Sequence, residues 1–165
     1  MRATWILRCR SSQFGITHRA SYKTLMQIAI QPESLSCFIH RGFDETLIRL
    51  RSALRGEELE IVCELPLHRE FQKKIGVTCR RYTVLIVWSS FDMWRAVLTE
   101  KDAGLLMPFN IAVVEDGEST LIAVANWNHR RHSRPTVGVS LMLHDAELKL
   151  RRVFIRCDRE DHTSG

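Results

Sequence analysis

The residues of this chain whose types and spacing could support chemistry include one cysteine in a basic segment. Cys79 directly precedes Arg80 and Arg81, and neighbouring positive charge favours the nucleophilic thiolate form of a cysteine. We predict that Cys79 is either a reactive thiol, as in a thiol-dependent enzyme or redox protein, or an ordinary loop cysteine. The exposure of its side chain decides between the two.

A second candidate is a basic segment that holds two histidines. His129 and His132 are three residues apart, a spacing that can place two imidazoles on one helix face and suits a metal. However, Arg130, Arg131 and Arg134 fill the same segment with positive charge, and no carboxylate or thiolate is near in sequence. We predict no metal site. The three arginines are candidate anion-binding residues, and the alternative is a solvated basic surface.

Motifs for several common enzyme chemistries are absent from the sequence. Its eight glycines are isolated from one another, so there is no Gly-rich phosphate loop. There is also no Gly-x-Ser-x-Gly elbow and no His-Glu-x-x-His helix. We predict no set of catalytic residues and no cofactor, and the sequence leaves open whether the protein is an enzyme.

Aromatic side chains are concentrated in one part of the chain, at Trp88, Phe91, Trp94 and Phe109. One interpretation is core packing between a strand and its helix. The other is a pocket for a small apolar ligand or the contact surface of a homodimer. For the second interpretation, Trp88, Trp94, Met107 and Phe109 are the candidate ligand or interface residues.

The elements that must position these residues follow from residues 82–125. Residues 82–88 are β-branched and aromatic and predict a buried strand. Ser89 or Ser90 is predicted to cap a helix that runs to Asp102 and ends at Gly104. On that helix Phe91, Trp94, Val97 and Leu98 recur at intervals of three and four, which places them on one face. Two strands, 109–114 and 119–125, then form a hairpin around the Asp116-Gly117 pair.

The remaining sequence supplies further helices and strands in alternation. Asp44 is the expected N-cap of an early helix. We predict strands over 34–41 and 58–64 and helices over 44–56, 66–76 and 137–156. The order β-α-β-α-β-α-β-β-α predicts an α+β fold with an antiparallel or mixed sheet and helices packed on one face.

This order of elements and its motifs resemble the domain of unknown function 302 family of small bacterial and archaeal proteins. The resemblance covers roughly Leu35 to Val124. The residues that carry it are Gly42-Phe43, the strand Tyr82 to Val87, the turn Gly104-Leu105-Leu106-Met107-Pro108, and the hairpin Ile111 to Gly117. It implies an architecture like that of the TATA-box-binding protein, without a DNA-binding role.

Two positions depart from the pattern of that family. Its members often carry Cys-Asn-Pro after the central strand and Pro-Cys at the turn. This chain has Trp88-Ser89-Ser90 and Pro108-Phe109 at those places. No thiol or metal role of those family cysteines therefore carries over to these positions.

Composition and charge limit the class of protein and its partners. A chain of 165 residues with 45% hydrophobic residues can bury a core without a metal or a disulfide. The net charge of +5 comes from the ends, because residues 26–125 hold eleven basic and fourteen acidic residues. We therefore expect no nucleic-acid partner. We predict a disordered or misassigned extension over 1–25, one domain over 26–157 and a polar tail over 158–165.

Cysteine usage and the length of the apolar runs bear on localisation. Five scattered cysteines with no secretory peptide predict reduced thiols and a cytoplasmic protein. No uncharged apolar run reaches the roughly 18 residues that a membrane-spanning helix needs. Two functions remain open: a non-enzymatic homodimeric interaction or small-ligand-binding domain, and a thiol-dependent enzyme or redox protein that uses Cys79.

Overall fold

The computed structural model describes residues 28–30, 34–101, 103–105, 108–125 and 136–159. Strands and helices alternate over most of this length, as the sequence pattern predicts. The elements are β1 (Ile28–Ile30), β2 (Ser34–Ile39), α1 (Phe43–Gly56), β3 (Glu60–Leu65), α2 (Leu67–Ile75), β4 (Tyr82–Trp88), α3 (Ser90–Thr99), a 3₁₀ turn (Ala103–Leu105), β5 (Phe109–Asp116), β6 (Ser119–Ala125) and α4 (Val137–Asp158).

The strands form one six-stranded sheet in the order β1-β2-β6-β5-β4-β3. Every neighbouring pair in it is antiparallel. The predicted α+β class is therefore confirmed, and the antiparallel alternative is the correct one. The hairpin between β5 and β6 turns at Gly117, whose φ of +63° lies in the left-handed region that glycine adopts without strain.

Strand residues alternate between two environments, as the period of two requires. On β4, Thr83, Leu85 and Val87 are buried and face the helices, and the alternate residues are half-buried. The buried strand residues pack with α1 and α4 in one hydrophobic core. Helices α1 and α4 also make the largest helix-to-helix contact of the described chain.

Two predicted helix boundaries were wrong. Gly42, not Asp44, is the N-cap of α1, and no side chain caps it. Asp44 lies in the first turn, where its carboxylate contacts the Arg81 guanidinium at 2.7 Å. Helix α3 ends at Thr99 rather than near Gly104, because Glu100 already adopts an extended conformation.

The predicted division of the chain extends beyond the described residues. Residues 1–25 lie outside the described ranges, as do 160–165. Helix α4 extends to Asp158, the first residue of the predicted tail. The three predicted regions stay predictions.

Candidate functional site

Helix α3 is held against the protein by its inner face. Ser89 is the N-cap, which confirms one of the two predicted caps, and its Oγ accepts a hydrogen bond from the Asp92 amide at 3.4 Å. The Asp92 carboxylate is nearly buried and contacts Lys149 Nζ of α4 at 3.2 Å. Ala96, one turn later, is also buried. This polar anchor and the small side chain fix which face of α3 points inward.

The outer face of α3 carries large apolar side chains. Phe91 is 62% exposed, Trp94 57%, Val97 48% and Leu98 68%. We call these four residues the α3 surface. The rings of Phe91 and Trp94 have centroids 6.1 Å apart, and the Arg95 guanidinium lies 5.6 Å from the Phe91 centroid. These contacts hold the two rings together at one end of an apolar stripe.

The α3 surface continues towards the start of α4. A Cβ at Gly138 would lie 3.9 Å from Thr99 Cγ2, so the first turn of α4 packs against the last turn of α3. Val137 and Leu141, next to this contact, are both exposed. The Asp92–Lys149 ion pair also links the two helices, from the first turn of α3 to the middle of α4.

The balance of charges around Lys149 favours a stable anchor. Burial lowers the pKa of Lys149, but hydrogen bonds to Asp145 and Asp92 and the charges of both carboxylates outweigh it. The net effect is a pKa above the usual value of a lysine. Lys149 is therefore charged at neutral pH, and the anchor of α3 is an ion pair there.

The structure separates the four residues that the sequence suggested as ligand or interface candidates. Trp94 lies on the α3 surface. Trp88 lies at the end of β4, where it is half-buried and its indole nitrogen is 3.4 Å from a carboxylate oxygen of Glu60. Phe109 is 1% exposed and belongs to the core, so it offers no surface to a partner. Met107 lies outside the described residues.

The candidate anion-binding arginines are not part of the described chain. Arg130, Arg131 and Arg134 lie within 126–135, outside the described ranges. Their role stays a prediction. Within the described ranges, no three His, Cys, Asp or Glu side chains converge in an arrangement that could hold a metal ion.

The cysteines occupy different environments. Cys79 is exposed and lines a groove of about 410 Å³ beside α2, together with His68, Arg69 and Lys73. Burial raises the pKa of the Cys37 thiol to about 11 and that of the Cys157 thiol to about 12. Cys37 and Cys157 are therefore neutral thiols in the core, where each acts as a small apolar side chain.

The two arginines that follow Cys79 are engaged with carboxylates. Arg81 contacts Asp44 at 2.7 Å and Glu115 at 2.8 Å, and Arg80 lies 3.7 Å from Asp116. The sequence suggested that these cations would favour a thiolate at Cys79. Their charges are instead balanced by neighbouring acidic side chains.

A second groove, which the sequence did not indicate, lies between α1 and α2. Its volume is about 590 Å³, and Phe43, Leu47 and Thr83 contribute buried side chains to its wall. His68 packs edge-on against the Phe43 ring, and Arg81 lies over that ring at 4.8 Å. We call this site the α1–α2 groove. It is lined by residues of α1, β3, α2 and β4, which follow one another along the chain.

The fold and these surfaces define a small α+β protein with one covered sheet and an apolar helix surface. Residues 37–155 match the family described as Domain of unknown function DUF302. The match covers more than half of the chain, so the protein belongs to this family, and the predicted resemblance is confirmed. None of the described helices combines the length and the apolar character needed to cross a lipid bilayer.

A solved structure shares this fold. The chain is similar to the uncharacterized conserved protein DUF302 from Bacillus stearothermophilus, with 20% sequence identity and a TM-score of 0.62. The similarity covers 75% of this chain and 97% of the other. At this identity the comparison supports the fold alone. No curated protein matches the chain.

Proposed function

We propose that this protein is a non-enzymatic interaction domain that forms a homodimer through the α3 surface. The observation that carries the proposal is the exposure of Phe91, Trp94, Val97 and Leu98 on one helix whose other face is anchored by a nearly buried ion pair. Large apolar patches on a soluble protein mark interaction sites more often than chance exposure does.

The area of the α3 surface suits a protein partner. From the exposed fractions of Phe91, Trp94, Val97 and Leu98, the patch measures roughly 400–500 Å², within the size of the largest, often functional, patch on a monomer. This is about half of the roughly 800 Å² that each partner buries in a standard interface. Val137 and Leu141 are also exposed, at the start of α4, which packs against the end of α3.

The shape of the α3 surface also favours one kind of binding partner over another. Side chains on the outside of a helix form a convex surface, whereas small molecules bind in concave sites. This favours a partner chain over the small apolar ligand that the sequence also allowed. A second copy of the chain is the occupant we propose, because a twofold axis lets one apolar patch bury itself against its own equivalent.

Light scattering coupled to gel filtration tests the proposal with Trp94→Asp. We expect the parent chain to run at twice its mass of 19.2 kDa and the variant to run as a monomer. A twofold dimer contains two copies of Trp94, and losing two central aromatic anchors costs roughly 4 kcal/mol, or about a thousandfold in affinity.

A matched control separates the α3 surface from exposed apolar side chains in general. Ile75 on α2 is 67% exposed, similar to Trp94, and Ile75→Asp introduces the same charge. We expect Ile75→Asp to keep the parent mass. A monomeric parent, or a folded Trp94→Asp variant that stays dimeric, contradicts the proposal.

The alternative is a thiol-dependent enzyme or redox protein that uses Cys79. It is supported by the exposed position of Cys79 in a groove that also holds His68, Arg69 and Lys73. The rate of alkylation of the native protein as a function of pH tests it, with Cys79→Ser as the control for labelling at other thiols. A Cys79 that reacts no faster than a free cysteine at neutral pH removes this alternative.

A further inference from the structure

The α1–α2 groove has the size of a small-molecule site. Its volume of about 590 Å³ falls in the range of roughly 300–1,000 Å³ that is usual for ligand pockets. Ile48 supplies an exposed apolar side chain to its wall, at 64% exposure, whereas Phe43 and Leu47 are buried. His68 is held in place because its Nδ1 lies 2.9 Å from the Tyr82 carbonyl oxygen. The walls of the groove are therefore formed before any ligand enters.

One buried hydroxyl in this groove has no hydrogen-bond partner among the described residues. Thr83 is only 3% exposed and lines the groove, yet its side chain makes no hydrogen bond within the described part of the chain. Most buried polar side chains are paired. The other buried polar or charged residues of the described ranges follow that rule, and they are Thr46, Glu57, Ser89, Asp92 and Thr120. Thr83 is the exception.

The rim of the groove offers an available positive charge. Arg51 forms a two-point ion pair with Glu64, at 2.8 and 2.7 Å, and Arg81 is engaged by Asp44. Arg69 also lines the groove and is exposed, and no carboxylate among the described residues pairs with it. Its guanidinium can form a forked contact with a carboxylate.

We propose that the α1–α2 groove binds a small organic acid that carries a ring and a hydrogen-bonding group. The carboxylate contacts Arg69, the ring packs on Ile48, and the polar group of the ligand pairs with the Thr83 hydroxyl. The three parts of the ligand thus match three features of the groove. The carboxylate matches the positive charge of Arg69, the ring matches the apolar wall, and the polar group matches the Thr83 hydroxyl. The site is separate from the α3 surface and does not depend on dimerisation.

Calorimetric titration with 4-hydroxybenzoate, and with benzoate as the comparator, tests the proposal on the full chain. We expect 4-hydroxybenzoate to bind at millimolar concentration or below and to lose roughly tenfold in affinity in Thr83→Val, as one lost hydrogen bond predicts. Benzoate lacks the phenolic hydroxyl, so its weaker affinity is expected not to change in Thr83→Val. Arg69→Gln is expected to weaken both acids, and Arg95→Gln, an exposed arginine on α3, to weaken neither.

A stability measurement keeps the test independent of the choice of acid. Thr120 is a buried threonine whose hydroxyl donates to the Arg41 carbonyl oxygen at 3.0 Å. We expect Thr120→Val to lower the urea midpoint and Thr83→Val to leave it unchanged or raise it, because only the first removes a made hydrogen bond. Equal losses in both variants would show that the Thr83 hydroxyl has a structural partner, and this overturns the proposal. Absence of binding by 4-hydroxybenzoate, or binding that neither Thr83→Val nor Arg69→Gln weakens, overturns it as well.

Discussion

The ion pair that anchors α3 predicts an asymmetric response to mutation. The side chains of Asp92 and Lys149 are only 12% and 17% exposed, and their charged atoms are 3.2 Å apart. Lys149→Met removes the cation and leaves the Asp92 carboxylate nearly buried, with no other counter-charge from the part of the chain that the structure describes. We expect a loss of about 2–3 kcal/mol, because breaking one side of a buried pair costs several kcal/mol and the residual exposure reduces this.

The reverse change is expected to cost less. In Asp92→Asn the Lys149 ammonium keeps a second carboxylate, that of Asp145 at 3.2 Å. The backbone amide of residue 92 also keeps its hydrogen bond to Ser89 Oγ. We therefore expect Asp92→Asn to cost about 1 kcal/mol, the value of one hydrogen bond. The difference in unfolding free energy between Lys149→Met and Asp92→Asn therefore measures how far Asp145, the second carboxylate, compensates for the loss of Asp92.

Urea unfolding followed by tryptophan fluorescence measures both losses, with an unchanged m-value as the check that the transition stays comparable. Lys101→Met is the control, since Lys101 is exposed and such a change usually stays within about 0.5 kcal/mol. The double variant Asp92→Asn with Lys149→Met is expected to be more stable than Lys149→Met alone. A Lys149→Met loss no larger than that of the control, or smaller than that of Asp92→Asn, would refute the reasoning.

Two further predictions concern alkaline pH and the hairpin. Burial raises the pKa of the Cys37 and Cys157 thiols in the folded protein. The stability that the protonated thiols contribute is therefore complete below the unfolded thiol pKa of about 8.5 and is lost as pH rises through their folded pKa values. Urea midpoints of the parent and of Cys157→Ala should converge between pH 8 and pH 11. Gly117→Ala should lower the free energy of unfolding by about 1 kcal/mol, because residue 117 has a positive φ. Gly42→Ala should cost less in the same thermal melt, because Gly42 has a φ of −62° and open space around its Cα. Equal losses in the two variants would contradict this explanation.

The fold was largely predictable because its strands and helices have clear periods. The alternation on β4, the Asp116-Gly117 turn and the apolar positions of α4 identify these elements locally. The interior position of β4, between β5 and β3, depends on pairing between distant segments. Periodicity within one element carries no information about such pairing.

The candidate site was less predictable for a physical reason. The spacing of Phe91, Trp94 and Leu98 correctly placed them on one face of a helix, but spacing alone does not show which face turns inward. In α3 the inner face is defined by Asp92 and Ala96, a charge that finds Lys149 and a side chain small enough for close packing. The partner of Asp92 lies 57 residues later, so the sequence alone could not identify this anchor.

The groove residue Thr83 illustrates a second limit. A threonine in a strand is ordinary by propensity. Whether its hydroxyl is paired depends on which groups of other elements pack against it. The sequence supplies the residue, and only the three-dimensional arrangement shows that its hydroxyl has no hydrogen bond within the described ranges.

The pairing of β2 with β6 also has a consequence for the order in which the chain can fold during synthesis. Strand β2 ends at Ile39, and its neighbour β6 begins at Ser119, which is 119 − 39 = 80 residues later. At about 5–20 residues per second, β2 waits roughly 4–16 s on the ribosome for this neighbour. Helix α1 waits longer still for α4, with the apolar side chains of Leu47, Leu50 and Leu54 uncovered. A chain that stops before α4 is therefore expected to be a substrate for chaperones and proteases rather than a smaller folded domain.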